Sequence, residues 1–210
     1  MGRTAGRSPE DTRRALLTAA GDAVRSRGIH ASLDEIARFA GVSKGGLIYH
    51  FASKDELILE LARAQLVAFE ATIAAALDPA DTGPGRLTRA YLRAVLTPDG
   101  DDMASMALIT LLMTVPAVAE LARAEAARLD AELAADGLPP DVLALVVAAA
   151  DGMSSAPMWG GSARTPAHRR VVERLIHLTR RPELWEEIPW STAPPADPRA
   201  PRTVSPGPRR

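Results

Sequence analysis

The sequence predicts an all-α fold, and three observations carry that prediction. Apolar residues recur at helical spacing throughout the 210-residue chain, with no convincing alternating strand. Ser or Thr stands immediately before most of the periodic stretches, in two cases with Glu three residues later. Pro9, Pro116 and Pro166 fall where stretches begin, and Gly28, Gly41 and Gly160-Gly161 where stretches end or are interrupted.

Taken in order, Ser8-Pro9-Glu10-Asp11 opens the first helix with a cap, a proline at the first position and acids on the positive dipole end. Leu16, Ala20, Ala23 and Val24 form its apolar stripe, and Gly28 ends it. Ser32-Leu33-Asp34-Glu35 is a capping box that opens a short helix stopped by Gly41. Ser43 caps a third helix running to Phe51. Ser53-Lys54-Asp55-Glu56 is a second capping box, opening a long helix that reaches Leu77. The turn-rich segment from Asp78 to Gly85 breaks the chain. Further helices are expected near 85–97, 101–114, 116–136, 140–157 and 166–180, the last capped by Thr165 and interrupted from its predecessor by Gly160-Gly161. From Arg181 the chain turns proline-rich, and after Pro194 its prolines and arginines predict disorder.

With 47% hydrophobic residues the chain can bury a real core, and without cysteine it has no disulfide, thiolate metal site or thiol nucleophile. MGRTAGRSP has no apolar signal region, and the apolar run Val142–Ala150 is too short to span a bilayer. A cytoplasmic protein without a membrane partner is expected. The net charge is −1 but unevenly spread: +4 over residues 1–54, −8 over 55–193 and +3 over the tail. A basic end on an acidic body suggests that the end meets a polyanion. The only two lysines, Lys44 and Lys54, both flank one motif.

That motif is GVSKGGLIYHF, residues 41–51. Gly45 and Gly46 occupy a helix start, where each costs about 1 kcal/mol relative to alanine. Residues 32–51 have helix-turn-helix spacing: Ile36, Ala37 and Ala40 pack on Val42, Leu47 and either Ile48 or Phe51, leaving one face of the second helix free. The glycines remove side chains so that the helix N-terminus can enter a major groove or approach a phosphate. Lys44, Tyr49, His50 and Lys54 surround the gap with donors.

Over residues 9–60 the chain resembles the TetR family of bacterial transcriptional regulators, in the run RGIHASLDEIARFAGVSKGGLIYHFASKDEL. A cap precedes the IAxxAGVS pattern, YHF follows, and a capped SKxxL opens a long fourth helix. The resemblance implies that Lys44, Gly45 and Gly46 face base edges or phosphates, that Tyr49 and His50 contact the backbone, and that Lys54 and Ser32 each hold a phosphate. Gly46 and Ile48 depart from the Thr or Ala and the Tyr common in the family. The implied architecture is an N-terminal three-helix DNA-binding domain with its helix-turn-helix, joined to a C-terminal helical ligand-binding and dimerisation domain. The boundaries fall at 1–52 (with 1–7 flexible), 53–192 and a disordered tail over 193–210. The implied mechanism is a ligand-released repressor that binds a palindromic operator in double-stranded DNA as a homodimer.

In the body, the stretch from Met103 to Val118 is apolar nearly all round. It reads as plain core or as the wall of a cavity for a small apolar effector, with Met103, Met106 and Met113 as an adaptable lining that Phe69, Tyr91, Met158 and Trp159 complete. Val142 and Val146, with the stripe Val172, Leu175, Ile176 and Thr179, give two late helices with more apolar surface than one monomer needs. In the family that pair forms a four-helix bundle with a partner chain.

Enzyme signatures are poor, and no cofactor or metal is expected. His168 and His177 form no HExxH pair, His30 has no ligand set, and GMSSA at 152–156 is no nucleophile elbow. Asp99, Asp101 and Asp102 are read as loop residues without metal-loop spacing. The alternative class is a helical small-molecule enzyme or lipid-carrier-like protein with a basic hairpin.

Overall fold

In a computed structural model of the chain, residues 8–97, 100–161 and 165–188 are described. They form ten α-helices: α1 (Pro9–Arg27), α2 (Leu33–Ala40), α3 (Lys44–His50), α4 (Lys54–Ala75), α5 (Arg86–Leu96), α6 (Gly100–Leu112), α7 (Pro116–Ala134), α8 (Pro140–Ser155), α9 (Pro166–Arg180) and the one-turn α10 (Glu183–Glu186). A 3-10 turn over Ala156–Trp159 extends α8. The described residues contain no strand.

The caps act as the sequence predicts. The Ser32 hydroxyl accepts from the Glu35 amide at 3.2 Å while the Ser32 amide donates to the Glu35 carboxylate at 2.9 Å. Ser8, Ser43, Ser53 and Thr165 each accept from an amide three residues on. The second box is a variant: the Glu56 carboxylate reaches back to the Ala52 amide at 2.8 Å rather than to Ser53. Gly41 ends α2 at φ +68°, a left-handed geometry that makes the tight turn into Ser43. Two details differ from expectation. Helix α6 begins at Gly100, so Asp101 and Asp102 lie in its first turn and not in a loop. Helix α10 forms in the segment read as irregular, its turn closed by Leu184 and Trp185 amides donating to Arg181 and Pro182 carbonyls. The segments 1–7 and 189–210, and with them the flexible N-terminus and disordered tail expected there, lie outside the described residues.

Burial divides into two cores. The first holds Leu16, Ala20 and Val24 of α1, Ile36 and Ala37 of α2, Leu47 and Phe51 around α3, and Leu57, Ile58 and Leu61 of α4. It also takes in Leu108, Leu112 and Val118 from α6 and α7, so the N-terminal helices rest on the body and not only on one another. Phe51 is the residue that fills the hairpin core, fully buried, whereas Ile48 stays exposed. The second core joins Tyr91 and Leu92 of α5, Leu133 of α7, Val142 and Val146 of α8, and Val172 and Leu175 of α9.

That second core corrects the reading of the late helices. Val142, Val146, Val172, Leu175 and Thr179 are all buried within the single chain, and Ile176 packs against the same cluster. A helix buries the stripe that meets its nearest apolar neighbour, and here α5 lies against both α8 and α9. The outward face of α8 carries Ala144, Ala148 and Gly152, and that of α9 carries Val171 and Arg174.

One buried charge stitches this core to the break after α4. Arg89 is 2% exposed and grips Asp81 with two bonds of 2.6 Å, from Nε and from Nη2. Its Nη1 donates to the Pro84 carbonyl at 2.8 Å and the Thr179 carbonyl at 3.3 Å. The planar guanidinium matches a carboxylate fork and carbonyls together, which is what allows a charge to be buried there.

Candidate nucleic-acid interface and ligand cavity

Helix α3 buries only Leu47 and turns its remaining side chains outward. Gly45 and Gly46 sit in its first turn with neither at positive φ. A Cβ on Gly45 would find nothing nearer than the Ser43 hydroxyl at 4.0 Å, and one on Gly46 would meet the same oxygen at 3.4 Å. Neither backbone conformation nor internal packing therefore requires glycine at these positions. Tyr49 is 85% exposed, edge-on to the half-buried His50 with ring centroids 5.2 Å apart. An exposed tyrosine of this kind is not a packing residue.

The cations are held in different ways. Lys44 Nζ donates to the Asp34 carboxylate of α2 at 2.8 Å. Lys54, half-buried at the start of α4, has no carboxylate within ion-pair distance among the described residues. The Ser32 hydroxyl is already committed, accepting from one Glu35 atom and donating to the Glu35 carboxylate at 3.0 Å. These bonds hold the Glu35 carboxyl below its ordinary range.

Arg13 was not singled out by the sequence, yet it braces this surface. Its Nη1 donates to the His50 carbonyl at the end of α3 at 3.0 Å, and its Nη2 pairs with Glu60 of α4 at 2.6 Å. No local pattern signals such a role, because the partners lie 37 and 47 residues away.

The body contains a cavity of about 390 Å³ between α4, α5, α7 and α8, lined by Leu66, Phe69, Ile73, Tyr91, Leu129 and Val147 among others. Phe69 and Tyr91 are thus placed together, ring centroids 6.4 Å apart and nearly perpendicular. Of the methionines expected at its wall, only Met113 has a described side chain, and it does not line this cavity. Met113 is 44% exposed and lines only a cleft of about 10 Å³ with Ala62, Leu66 and Ala122. The side chains of Met103, Met106, Met158 and Trp159 lie outside the described residues. Helix α6 supplies Leu108 and Leu112 to the first core, and α7 lines the cavity. A recoverable signal was the i, i+3, i+4 run Ala122, Ala126, Leu129, Leu133 on α7 opposite Leu66, Phe69 and Ile73 on α4.

Helix α4 belongs to both regions: Leu57, Ile58 and Leu61 lie in the first core beneath α3, and Leu66, Phe69 and Ile73 line the cavity. No helix among the described residues is long and apolar enough to cross a membrane.

A helix-turn-helix with a bare-backboned second helix, joined by one continuous helix to a helical body, is the architecture of a DNA-binding transcriptional regulator. Residues 16–61 match the bacterial regulatory proteins of the tetR family, and residues 85–180 match the tetracyclin repressor-like C-terminal domain. The chain belongs to the TetR family of bacterial transcriptional regulators. It is 52% identical over 59 residues to the HTH-type transcriptional activator FasR of Mycolicibacterium smegmatis, a match spanning 27% of each chain. A TetR-like transcriptional regulator from Rhodococcus sp. RHA1 is 26% identical, with a TM-score of 0.62 over 83% of this chain and 99% of that one. The multidrug binding protein EbrR complexed with ethidium is 27% identical, with a TM-score of 0.57 over 80% of this chain and 99% of that one.

Proposed function

We propose that the chain is a homodimeric, ligand-released repressor acting on a palindromic operator in the cytoplasm, with residues 1–52 as its DNA-binding module and residues 53–192 as its effector and dimerisation body. The observation that carries the reading is the face of α3. Two glycines that the fold itself does not require stand beside Lys44, Tyr49 and His50, so the reason for their smallness lies outside the chain. With Gly45 and Gly46 against the bases or backbone, Tyr49 and His50 would hydrogen-bond phosphates, and Lys54 would pair with another. Ser32, whose hydroxyl serves the α2 cap, would offer a phosphate little beyond its position.

In the dimer, the outward face of α8 (Ala144, Ala148, Gly152) would meet its symmetry mate beside Val171 of α9, the small residues allowing close approach. A ligand between α4, α5 and α7 would bias α4 and so the spacing of the two recognition helices, which must match successive major grooves. EbrR, solved with ethidium, supports a small-molecule effector for this body. The sign of regulation has a second reading, because FasR is an activator. That likeness is confined to about a quarter of either chain, a stretch too short to include the body, so repression is retained.

The test is selection of bound fragments from genomic DNA, followed by fluorescence anisotropy on the recovered duplex and a reporter assay for sign. Gly45→Leu is expected to keep the fold, with a slightly higher melting temperature, and to lose operator binding. Operator binding by Gly45→Leu equal to wild type would remove the central support of this reading.

A further inference from the structure

We infer that the cavity between α4, α5, α7 and α8 takes an organic cation, an apolar frame carrying positive charge, with that charge held by Asp151 and Asp130. The inference deepens the effector reading above and rests on it.

The walls are apolar, but the charged groups among the lining residues are Glu70, Glu125, Asp130, Glu132 and Asp151 against a single Arg128, a formal charge of −4. Arg128 is already engaged by acids on three sides. It pairs with Glu70 across from α4, with Glu125 at 2.9 Å and with Glu132 at 2.6 Å, so three carboxylates already surround one guanidinium. A ligand carboxylate or phosphate would have to displace them and would then face the remaining acids.

Asp130 and Asp151 have no cationic partner among the described residues. Both bear on the Tyr91 hydroxyl, which donates to Asp151 Oδ1. Burial first, then Asp151 and Asp130, push the Tyr91 pKa well above its usual value, so the phenol stays neutral. It supplies a fixed hydrogen bond that orients Asp151 and leaves the carboxylate's charge uncompensated. The perpendicular Phe69 and Tyr91 rings add aromatic surface to the same wall. A volume of about 390 Å³ is that of a small-molecule site. Asp130 and Asp151 are exposed at the rim, where solvent weakens their pull, but charge of one sign beside an apolar cavity favours a ligand of the opposite sign.

The probes are tetraphenylphosphonium and tetraphenylborate, ions of matching shape and opposite charge, titrated calorimetrically into the full chain with melting temperature followed in parallel. The phosphonium is expected to bind and raise the melting temperature, and the borate to do neither. Asp151→Asn, which can still accept from Tyr91, should weaken phosphonium binding about tenfold, and Asp130→Asn should weaken it independently. Should Asp151→Asn fold poorly, the Asp130→Asn result and the phosphonium–borate contrast decide. Equal binding of the two ions, binding of neither, or affinity unchanged in both variants would overturn the inference. Operator anisotropy separates the two levels. Phosphonium that binds through Asp151 without releasing operator supports the cation site and removes the effector reading, whereas release by the borate alone keeps the effector reading and removes the cation.

Discussion

The guanidinium carbon of Arg13 lies 4.3 Å over the centre of the Phe51 ring. The same guanidinium reaches the His50 carbonyl and Glu60, so one side chain of α1 holds the end of the recognition helix to the helix that enters the body. Arg13→Met, which keeps the aliphatic stem but loses the charge, is expected to weaken operator binding by about 0.5–2 kcal/mol. Glu60→Gln should show a smaller loss. Both side chains are about one-third exposed, so the direct cost in stability is modest, about 1 kcal/mol at most for the ion pair. Urea denaturation together with operator anisotropy distinguishes lost positioning from lost stability.

Lys44 is paired with Asp34 before any DNA arrives, and Lys54 is not. If Lys44 meets DNA, it does so by giving up Asp34, whose own charge then repels the phosphates. Asp34→Asn is therefore expected to tighten binding to operator and scrambled duplex alike. Lys54→Ala should weaken both and reduce the slope of log K against log salt by about two units in a dimer, one contact from each half. A salt series on both duplexes measures this, and an unchanged slope for Lys54→Ala would remove it from the phosphate contacts.

The burial of Leu175 reverses the expected behaviour of the late helices. Leu175→Asp places a charge in the second core, so it should unfold the body by several kcal/mol and not yield a folded monomer. Ala148→Arg and Val171→Glu alter residues that are exposed in the single chain and should leave it folded while splitting a dimer. Sedimentation velocity with circular dichroism separates these outcomes. A folded monomer from Leu175→Asp would contradict the core assignment.

Asp81 gives the fold an acid limit. Its two bonds from Arg89 hold its carboxyl below the ordinary value of 3.8, and it is 10% exposed. Because the folded pKa is depressed, the stabilisation is complete above 3.8 and is lost as the pH falls through the lower folded value. Asp81→Asn should remove that step from the stability profile below pH 3.8 while lowering stability at neutral pH, since Arg89 would remain buried without its counter-charge. Urea denaturation of wild type and variant across the acid range checks both.

The N-terminal module and the helix order were legible in the sequence because their determinants are local. Ser32 and Glu35, Ser43 and Gly46, or Thr165 and His168 are each three residues apart, and a cap is satisfied by neighbours whatever the rest of the chain does. Gly45, Gly46 and Tyr49 could likewise be read as an open face, since a seven-residue helix that buries one leucine must expose its other sides. The sequence by itself thus determined the capped helices and the exposed donors of α3, but not α10 or the start of α6, which carry no cap pattern. Only the tertiary structure decided where the apolar surfaces went. The stripe of Val172, Leu175 and Ile176 was visible, but what would cover it depends on packing between elements some 80 residues apart, and within the chain α5 lies against it. The largely apolar stretch from Met103 to Val118 could have walled a cavity. Helix α6 lies against α1 and α4, and the cavity is lined by α7, whose alanines leave space between larger neighbours. Hydrophobic burial is non-directional, so a pattern states that a face is covered and not by what.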